Sequence, residues 1–591
     1  MRRRPTEHTA RMSDGTELFY RVWPAAMEPA SALPRALLLF HRGHEHSGRF
    51  QDVVDALDLD DCTIFAWDAR GHGRSPGERG YAPSFGRMVR DVEDFVRHVQ
   101  EAHGIPTESM VVLGHSVGGV TVATWVHDYA PDIRGLVLAT PALRVKLYVP
   151  FAIPGLRLMR WWKGNRKSFV KSYVRSKMLT HDRSQARQYD EDPLIAREIA
   201  VNILLDLYDA STRLIADAGA IQTATLLLCG GADWVVRTSA QDQFYQRLGA
   251  RDKRQRYFEG GYHDILHERD RHQVLSEISN FVRRQFACEH QRPSLVEADH
   301  WGHTRDEFDR LSRPLPRFSW NWLRYGVQTL AMNTLGRLSR GVRLGLTTGF
   351  DSGKTLDYVY RNQPSGAMLV GRWIDNMYLN SLGWRGIRQR KVHLEQLLTD
   401  AVEQTLTRYG RAHVLDIATG CGRYVLETLR SFPRDTVSAT LRDYRENNLD
   451  EGRRLAAEMR LPNVKFVWGD AFDEQELAAI EPKPHIAIVS GLYELFPGNE
   501  EIRRSLRGVA NALHDGGLLI YTGQPWHPQV EEIARTLTNR EGQPWVMRRR
   551  TQWEMDDLVR EAGLSKLNML IDEFGIFTVS VAVKGRHVSE A

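Results

Sequence analysis

Residues 111–120 read VVLGHSVGGV and contain the pattern G-x-S-x-G at positions 114–118. An apolar run that ends in this pattern is typical of a strained strand-to-helix turn, which lifts a serine hydroxyl clear of a sheet. Both glycines are needed there, because a side chain on either would block the close crossing of strand and helix. A buried strand with an ordinary Gly-rich turn would give the same five letters. The surrounding sequence therefore has to decide whether Ser116 is a nucleophile.

Length and composition favour two large domains in a reducing compartment. The chain has 591 residues, more than one hydrophobic core usually supports, and its 42% hydrophobic and 26% charged residues are ordinary for globular proteins. The four cysteines lack CxxC spacing, which argues against disulfides and a zinc site. No stretch is apolar enough for a signal peptide or a membrane span. We expect a cytoplasmic protein without metal.

Two basic segments contain aromatic residues and no acids. Residues 135–180 hold ten Lys or Arg residues together with Trp161 and Trp162, and residues 311–350 hold six arginines together with Trp320 and Trp322. Cations with interleaved Trp and Leu suit the surface of an anionic membrane, so peripheral contact with an inner membrane is one interpretation. Such segments also occur in nucleic-acid-binding proteins and on ordinary solvated surfaces. We expect no nucleic-acid partner.

Short apolar runs alternate with amphipathic helices through residues 12–286, and this alternation predicts a doubly wound, mostly parallel sheet. In such sheets the active site forms at the carboxyl ends of the strands. Asp233 and His263 both follow predicted strands, in the order Ser116, Asp233, His263 that is expected of an α/β-hydrolase triad. Asp264 is a rival acid and His267 a rival base. A cap inserted at about residues 144–218 fits the spacing.

Six motifs in order extend this interpretation: SDGTELFYRVW, EHSGRF, DARGHGRSPGERG, GHSVGG, YDEDPL and GGYHDILHE. With them, residues 12–286 resemble an α/β-hydrolase of the monoacylglycerol lipase, lysophospholipase and S33 serine aminopeptidase type. The resemblance implies ester hydrolysis through an acyl-serine intermediate, with an oxyanion hole formed by the N–H groups of Gly43 and Val117. Arg42 departs from the family's usual glycine. The basic cap suits a lysophospholipid or monoacylglycerol, whereas a peptidase would want acidic residues near the site.

Residues 287–384 read as a Pro-containing linker followed by a helical segment with basic and aromatic residues, and a second domain is predicted at residues 385–585. The stretch NSLGWRGIRQR, residues 380–390, is either a basic turn that contacts an anionic cofactor group or an ordinary helix start. Asp416 then ends a strand and precedes ATGCG, residues 418–422, and Asp443 ends the next strand. A strand, a Gly-rich turn, a helix and a later acid form the layout of a nucleotide-binding βαβ unit.

The continuation of the chain resembles a class I S-adenosylmethionine-dependent methyltransferase. The residues that carry it are GDA at 469–471, SGLYE at 490–494, DGG at 515–517, EAGL at 561–564 and a paired-strand segment at 568–583. The resemblance implies that Asp416 and the turn with Ala418, Gly420 and Gly422 bind the methionine portion of S-adenosylmethionine. It implies likewise that Asp443 binds the ribose and that Asp470 and Ala471 bind the adenine. Ala418 replaces the family's first glycine.

The sequence specifies the methyl-acceptor site less closely than it specifies the triad or the cofactor site. Tyr493, Glu494 and His527 are candidate acceptor-site residues, with Gln524 and Trp526 nearby, and Glu494 or His527 could act as a base. The whole chain is therefore predicted to be a bifunctional α/β enzyme, with an α/β-hydrolase fold and a Rossmann-like methyltransferase fold, that acts on lipid-like molecules. The alternative is a serine esterase or peptidase whose C-terminal domain only binds a cofactor or docks on a membrane.

Overall fold

The computed structural model describes residues 3–29, 33–164 and 167–585. The chain divides into two compact units, Met1–Pro293 and Ser294–Ala591. Residues 294–384, which the sequence analysis set apart from both domains, belong to the second unit.

Within the described residues, the first unit is built on an eight-stranded sheet with the order β1-β2-β4-β3-β5-β6-β9-β10. Strands β3 to β6, β9 and β10 run parallel, whereas β1 and β2 are antiparallel additions at one edge. The central strand β3 (ALLLF) is fully buried, as expected of a parallel strand that helices cover on both faces. The strands are Thr6–Arg11 (β1), Glu17–Trp23 (β2), Ala36–Phe40 (β3), Thr63–Trp67 (β4), Met110–His115 (β5), Gly135–Ala139 (β6), Phe169–Lys171 (β7), Glu198–Ala200 (β8), Thr225–Gly230 (β9) and Lys253–Phe258 (β10).

Helices cover this sheet, and the chain between β6 and β9, the region predicted as a cap, consists of helices and a small β7–β8 ladder. The helices of the first unit are Gln51–Ala56 (α1), Phe85–His103 (α2), Val117–Tyr129 (α3), Ala152–Lys163 (α4), Arg183–Glu191 (α5), Val201–Asp217 (α6), Thr238–Arg247 (α7) and Arg271–Ala287 (α8).

In the described part of the second unit, a seven-stranded sheet has the order β13-β12-β11-β14-β15-β17-β16. Its strands are parallel except for β17, which pairs antiparallel with β15 and β16. The order reverses between β11 and β14, the position at which open α/β sheets bind their ligands. The strands are Ala412–Asp416 (β11), Val437–Asp443 (β12), Val464–Trp468 (β13), Ile486–Val489 (β14), Leu518–Gly523 (β15), Leu564–Ile571 (β16) and Thr578–Lys584 (β17).

A run of helices precedes this sheet and others connect its strands. They are His303–Ser312 (α9), Trp320–Asn333 (α10), Arg340–Thr348 (α11), Gly353–Arg361 (α12), Met368–Leu379 (α13), Leu382–Tyr409 (α14), Arg423–Leu429 (α15), Glu446–Glu458 (α16), Glu474–Ala478 (α17), Glu500–Ala512 (α18), Val530–Thr536 (α19) and Gln552–Glu561 (α20). The predicted fold class, an α/β-hydrolase fold followed by a Rossmann-like fold, is confirmed. None of the described helices combines the length and apolar character needed to cross a bilayer.

Candidate active sites

The turn between β5 and α3 holds Ser116 in a strained backbone conformation, with φ 54° and ψ −112°. Glycine is required on both sides of it. A Cβ on Gly118 would lie 2.5 Å from the carbonyl oxygen of Phe40, and a Cβ on Gly114 would lie 2.7 Å from the carbonyl oxygen of Gly118. Backbone atoms cannot yield as a flexible side chain can, so the pattern G-x-S-x-G is a steric necessity at this turn.

The structure brings the three predicted triad residues together. The Nε2 atom of His263 lies 2.7 Å from Oγ of Ser116, and its Nδ1 atom lies 2.8 Å from Oδ2 of Asp233. All three side chains are buried. A hydroxyl, an imidazole and a carboxylate in this series can pass a proton from the oxygen to the ring while the carboxylate holds the ring's orientation.

Asp233 is held as a carboxylate. Burial alone would raise its pKa, but the charge and hydrogen bond of His263 outweigh burial, and the backbone N–H groups of Val235 and Val236 also donate to Oδ1. The pKa of Asp233 therefore lies below its ordinary value. An ionised Asp233 accepts from Nδ1–H of His263, which leaves Nε2 of the ring free to accept the proton of Ser116.

The predicted oxyanion donors, Gly43 and Val117, are neighbours: a Cβ on Gly43 would lie 3.0 Å from Cγ2 of Val117. Both residues line a small cavity of about 30 Å³. Because Val117 is the first residue of α3, its N–H has no acceptor within the helix and is free to bind a ligand oxygen.

Arg42 is part of a buried ionic cluster behind this loop. Its guanidinium forms an ion pair with Glu45 at 2.8 Å, approaches Asp264 at 3.5 Å and stacks over the ring of Tyr189. Asp264 in turn accepts from Nδ1 of His267 at 2.8 Å. The rival acid and the rival base are therefore bonded to each other and away from the triad.

In the second unit, a cavity of about 650 Å³ lies over the carboxyl ends of β11, β12 and β14 and is named here the cofactor cavity. Among the predicted cofactor residues, Ala418, Gly420, Gly422, Asp443, Asp470 and Ala471 line it. Gly420 and Gly422 have positive φ angles of 58° and 70°, a conformation that favours glycine. A Cβ on Gly420 would meet no atom closer than 3.9 Å, so the turn leaves open space above it for a ligand.

The carboxylates at this cavity differ in what they already bind. Asp443 accepts from the N–H of Gly420 at 2.9 Å through Oδ2, and from Asn448 at 3.0 Å through Oδ1. Asp416 lies behind the turn rather than in its lining: it accepts from the N–H of Ala418 at 3.1 Å and from the hydroxyl of Tyr424. Burial raises the pKa of Asp416 to about 7. Asp416 thus shapes the turn, whereas Asp443 faces the cavity.

Several lining residues carried no motif that would have identified them. Asp351 precedes α12, Gly353, Asp357 and Tyr360 lie along this helix, and Arg540 comes from a distant loop. Asp351 joins these two segments by accepting from the backbone N–H of Arg540 at 2.6 Å and from its Nε at 3.0 Å. Only folding brings these segments together.

A second cavity, of about 570 Å³ and mostly apolar lining, shares with the cofactor cavity the residues Asp351, Leu356, Arg390, Gly491, Leu495 and Trp545; it is named here the apolar cavity. Arg390, from the basic stretch at residues 380–390, is buried at this junction and pairs with Glu494 at 3.1 Å. Residues 380–390 thus provide both a helix start and a cation next to the cofactor cavity.

Of the three candidate acceptor residues, Glu494 and His527 line the apolar cavity. Tyr493 does not: it lies in the hydrophobic core, donates to Oγ of Ser505 at 3.0 Å and lines neither the cofactor cavity nor the apolar cavity. The prediction for Tyr493 is therefore corrected. Its position one residue before Glu494 in a tight 3₁₀ turn sends its side chain to the opposite side.

The two basic, aromatic segments are exposed where they are described. Trp161 and Trp162 on α4 are 78% and 79% exposed, and Trp320 on α10 is 77% exposed. Residues 165 and 166 of the first segment lie outside the described residues.

Within the described residues, one group has a spacing suited to a metal ion, formed by Glu297, Asp299 and His300. Two of these side chains are exposed, and Arg503 pairs with Glu297. That cation lowers the attraction of the group for a metal, and clusters of exposed acids are common without one.

Comparison with known proteins finds a family match for each half of the chain. The family model described as "Serine aminopeptidase, S33" matches residues 32–270, and the one described as "Putative methyltransferase" matches residues 278–584. Uncharacterized protein YnbC of Escherichia coli K12 is 50% identical over 583 residues, which cover 98% of each chain. Monoglyceride lipase of Rattus norvegicus is 28% identical over 293 residues, 46% of this chain and 89% of the lipase.

Among solved structures, the monoacylglycerol lipase of Paleococcus ferrophilus is similar at 22% identity and a TM-score of 0.40, over 48% of this chain and 99% of the lipase. Both resemblances drawn from the sequence are confirmed at the level of domain families. The chain belongs to the family described as "Putative methyltransferase", and its N-terminal half is an α/β-hydrolase domain of the S33 type.

Proposed function

We propose that this chain is a bifunctional enzyme. Its first unit hydrolyses an acyl ester of an amphiphilic substrate, of the monoacylglycerol or lysophospholipid type, through an acyl-serine intermediate. Its second unit transfers a methyl group from S-adenosylmethionine to a lipid-like acceptor. The observation that carries the proposal is the bridge from Ser116 through His263 to Asp233, with both hydrogen bonds already formed.

In the hydrolase reaction, Oγ of Ser116 attacks the ester carbonyl while Nε2 of His263 takes its proton. The N–H groups of Val117 and Gly43 then stabilise the negative charge on the carbonyl oxygen. His263 returns the proton to the leaving alcohol, and water repeats the sequence to release the acid. Asp233 keeps the ring in the tautomer that both steps require.

An ester fits this site better than a peptide. A peptidase that anchors a peptide amine needs a free carboxylate, but the buried carboxylates of Glu45 and Asp264 on the adjacent loops already have partners. Both contact Arg42, and Glu45 also lies near Arg49 while Asp264 accepts from His267. The exposed tryptophans of α4 suit a substrate that carries an acyl chain, whereas Arg157 and Arg160 on the same helix already pair with Asp209 and Asp206.

The experiment for the first unit combines a fluorophosphonate probe with hydrolysis of mono-oleoylglycerol. We expect labelling at Ser116 and release of oleate. A tryptic map that places the label on another serine would remove Ser116 as the nucleophile.

The second unit fits S-adenosylmethionine on three counts: the open space over Gly420, a carboxylate at the end of β12, and a cavity of about 650 Å³, within the range of roughly 300–1,000 Å³ typical of ligand sites. Asp443 would accept hydrogen bonds from the ribose hydroxyls, and residues 470–471 would lie beside the adenine. When bound, the cofactor supplies an electrophilic methyl group on a sulfonium. The protein's part is chiefly to position the acceptor.

The two remaining acceptor-site residues have different roles. Burial and the nearby Arg549 lower the pKa of His527 to about 3, and its Nδ1 accepts from the N–H of Gln529 at 3.0 Å. The neutral ring then carries its proton on Nε2, so His527 is a hydrogen-bond donor at neutral pH rather than a base. Glu494, paired with Arg390, is the carboxylate available to orient the acceptor.

Calorimetric titration with S-adenosylmethionine tests the second unit and separates the proposal from its alternatives. Binding followed by transfer of a labelled methyl group into lipid supports the enzyme. Binding without any transfer to a broad set of lipid extracts would favour a cofactor-binding module, and no binding would leave only the esterase.

The proposed location is the cytoplasm, with peripheral contact at an anionic inner membrane surface. The described cysteines are free, which suits a reducing compartment. The exposed basic and aromatic segments are the features that would contact lipid.

A further inference from the structure

The apolar cavity lies next to the place where the methyl group would be delivered. Its walls come from α10, α13, α14 and α19, and they include Met332, Ile374, Trp384 and Ile533. At about 570 Å³ it has the size of a site for a whole ligand rather than of a packing defect. A long hydrocarbon chain is the group that such walls bind without leaving polar atoms unpaired.

The inner end of this cavity is polar. Glu494 and Arg390 lie at the junction with the cofactor cavity, and Gln524 and His527 follow the neighbouring strand β15. The Nε2 atom of Gln524 is buried and has no hydrogen-bond partner among the residues that the structure describes. Buried amide groups are nearly always paired, so this one indicates a polar group of a ligand.

The outer end of the cavity opens between two helices that expose large apolar side chains. Trp373 and Met377 on α13 line the cavity, yet they are 63% and 57% exposed. Leu369, also on α13, is 84% exposed, and Trp320 at the start of α10 is 77% exposed. Apolar patches of this kind mark sites that contact another apolar phase.

Arginines outnumber acids around this opening, where the half-buried Glu532 of α19 also lines the cavity and accepts from Gln328 of α10. Exposed arginines, for which the described residues provide no carboxylate within 4 Å, lie on or next to these helices: Arg324, Arg337, Arg340, Arg343 and Arg372. The one acid of α13, Asp375, is buried and accepts from the N–H of Gly341 at 2.7 Å. Aromatic and aliphatic side chains surrounded by arginines complement an anionic lipid surface.

We propose that the apolar cavity is the methyl-acceptor site, that its acceptor is a membrane lipid with a long acyl or alkyl chain, and that this lipid enters directly from an anionic bilayer bound by α10 and α13. The proposal rests on the proposed methyltransferase function. The polar end of the lipid enters first and reaches Gln524 and Glu494, while the chain lies along the walls toward the bilayer.

The transfer balances without a further reactant. A heteroatom at the polar end of the lipid donates its lone pair to the methyl carbon. The electron pair of the carbon–sulfur bond that breaks stays on sulfur, which becomes a neutral thioether. The acceptor releases one proton to solvent, and the polar groups of the chain hold the heteroatom in line with the bond that breaks.

The docking step is tested by sedimentation with vesicles of phosphatidylglycerol and phosphatidylcholine in equal parts, and with pure phosphatidylcholine. The variant carries Trp320→Glu and Leu369→Glu, and the control carries Leu567→Glu, at a leucine on β16 that is 53% exposed. All chains also carry Trp161→Ser and Trp162→Ser, because α4 can bind vesicles by itself. We expect preference for anionic vesicles, and a loss of about tenfold or more only in the variant.

Retention of anionic-vesicle binding in that variant would overturn the docking step. A concentration-dependent dimer in sedimentation velocity, abolished by the same two changes in a chain that does not bind vesicles, would assign the surface to a second copy of the chain and also overturn it.

The acceptor step is tested with a pyrene-labelled fatty acid and the cavity-blocking change Ala331→Trp, with Ala479→Trp as the matched control outside both cavities. We expect saturable binding that weakens about tenfold in Ala331→Trp only, with S-adenosylmethionine binding unchanged in both. Equal probe binding in all three chains would overturn the acceptor site. If wild-type protein fails to bind S-adenosylmethionine, the proposed function fails instead, and calorimetry distinguishes the two results.

Discussion

The turn at Ser116 and the turn at Gly420 are both glycine-dependent connections from a strand to a helix, but they are complete to different degrees. Around Ser116, the protein supplies both hydrogen-bond partners of His263. Above Gly420, the protein leaves a cavity, and Asp443 uses its oxygens to hold the turn while it faces open space. The first turn carries the reacting atom, whereas the second prepares a surface for a reacting atom that a ligand brings.

This difference predicts how each site responds to mutation. A site whose parts bond to one another loses function when any part is removed, and such losses are large and not additive. A site that only surrounds a bound ligand loses less affinity with each substitution, because several contacts share the binding energy.

The largest effect is expected from Ser116→Ala, which removes the attacking oxygen. Hydrolysis of mono-oleoylglycerol should fall by roughly 10⁴-fold or more, because the oxyanion donors that remain cannot replace the missing nucleophile. Binding of S-adenosylmethionine should not change. Ser276→Ala, an exposed serine on α8, is the control; a fluorophosphonate label that persists in Ser116→Ala would contradict the assignment.

The two turns can be compared directly by changing one glycine in each to alanine. In Gly118→Ala the new Cβ would meet backbone oxygens at 2.5 Å, so we expect the first unit to lose more than about 3 kcal/mol of stability. In Gly420→Ala the space is open and only the positive φ is unfavourable, at about 1–2 kcal/mol.

Chemical denaturation measures the stability of each variant, and calorimetry measures its cofactor affinity. Gly420→Ala should weaken S-adenosylmethionine binding more than it lowers stability, because its methyl group points into the cofactor cavity. Equal losses of stability in the two variants would show that the two turns are not as different as their contacts indicate.

A moderate effect is expected from Asp443→Asn. The amide keeps the shape of the carboxylate but loses its charge, so the affinity for S-adenosylmethionine should fall by about 10- to 100-fold. Asp450→Asn, an exposed acid on α16 in the same unit, should bind as the wild type does. An unchanged affinity in Asp443→Asn would remove this residue from the cofactor site.

A pH dependence of stability is expected from Asp416. Since burial raises its pKa to about 7, its contribution to stability is fully present below the ordinary carboxyl pKa and is lost as the pH rises to about 7. Asp416→Asn should flatten this part of the curve when thermal unfolding is followed between pH 4 and pH 8. A variant curve parallel to that of the wild type would contradict the raised pKa.

The sequence predicted the fold and the positions of the triad because strand ends can be inferred from local patterns. Asp233 and His263 each follow an apolar run, and parallel strands bring such ends to one edge. The same reasoning identified Asp443, which ends β12, as a candidate cofactor-binding residue. Reasoning from strand ends could not identify Asp351 or Tyr360, because α12 and the residues just before it precede the sheet and do not directly follow a strand. Only tertiary packing places this segment beside the turn at Gly420.

Tyr493 shows that sequence reasoning can locate a segment near a site without identifying which of its residues faces that site. Reasoning from strand ends placed residues 490–494 near the acceptor, and Glu494 does line the apolar cavity. Which neighbour faces the cavity depends on the 3₁₀ turn at Tyr493–Leu495, and no periodicity in so short a segment reveals it. The apolar cavity could likewise not be predicted from the sequence, since its walls come from four separate helices.

Arg42 constrains the order in which this hydrolase domain can change. Replacing Arg42 by the glycine that the family resemblance leads one to expect would remove a guanidinium from two buried acids, at a cost of several kcal/mol. Glu45 would keep Arg49 at 3.5 Å, and Asp264 would keep its hydrogen bond with His267. Replacing one of the two acids first would lessen that cost. Loops exchanged between this chain and other hydrolases should be transferred with residues 42–49 as one block, together with position 264, or the graft will carry a buried acid that has lost its nearest guanidinium.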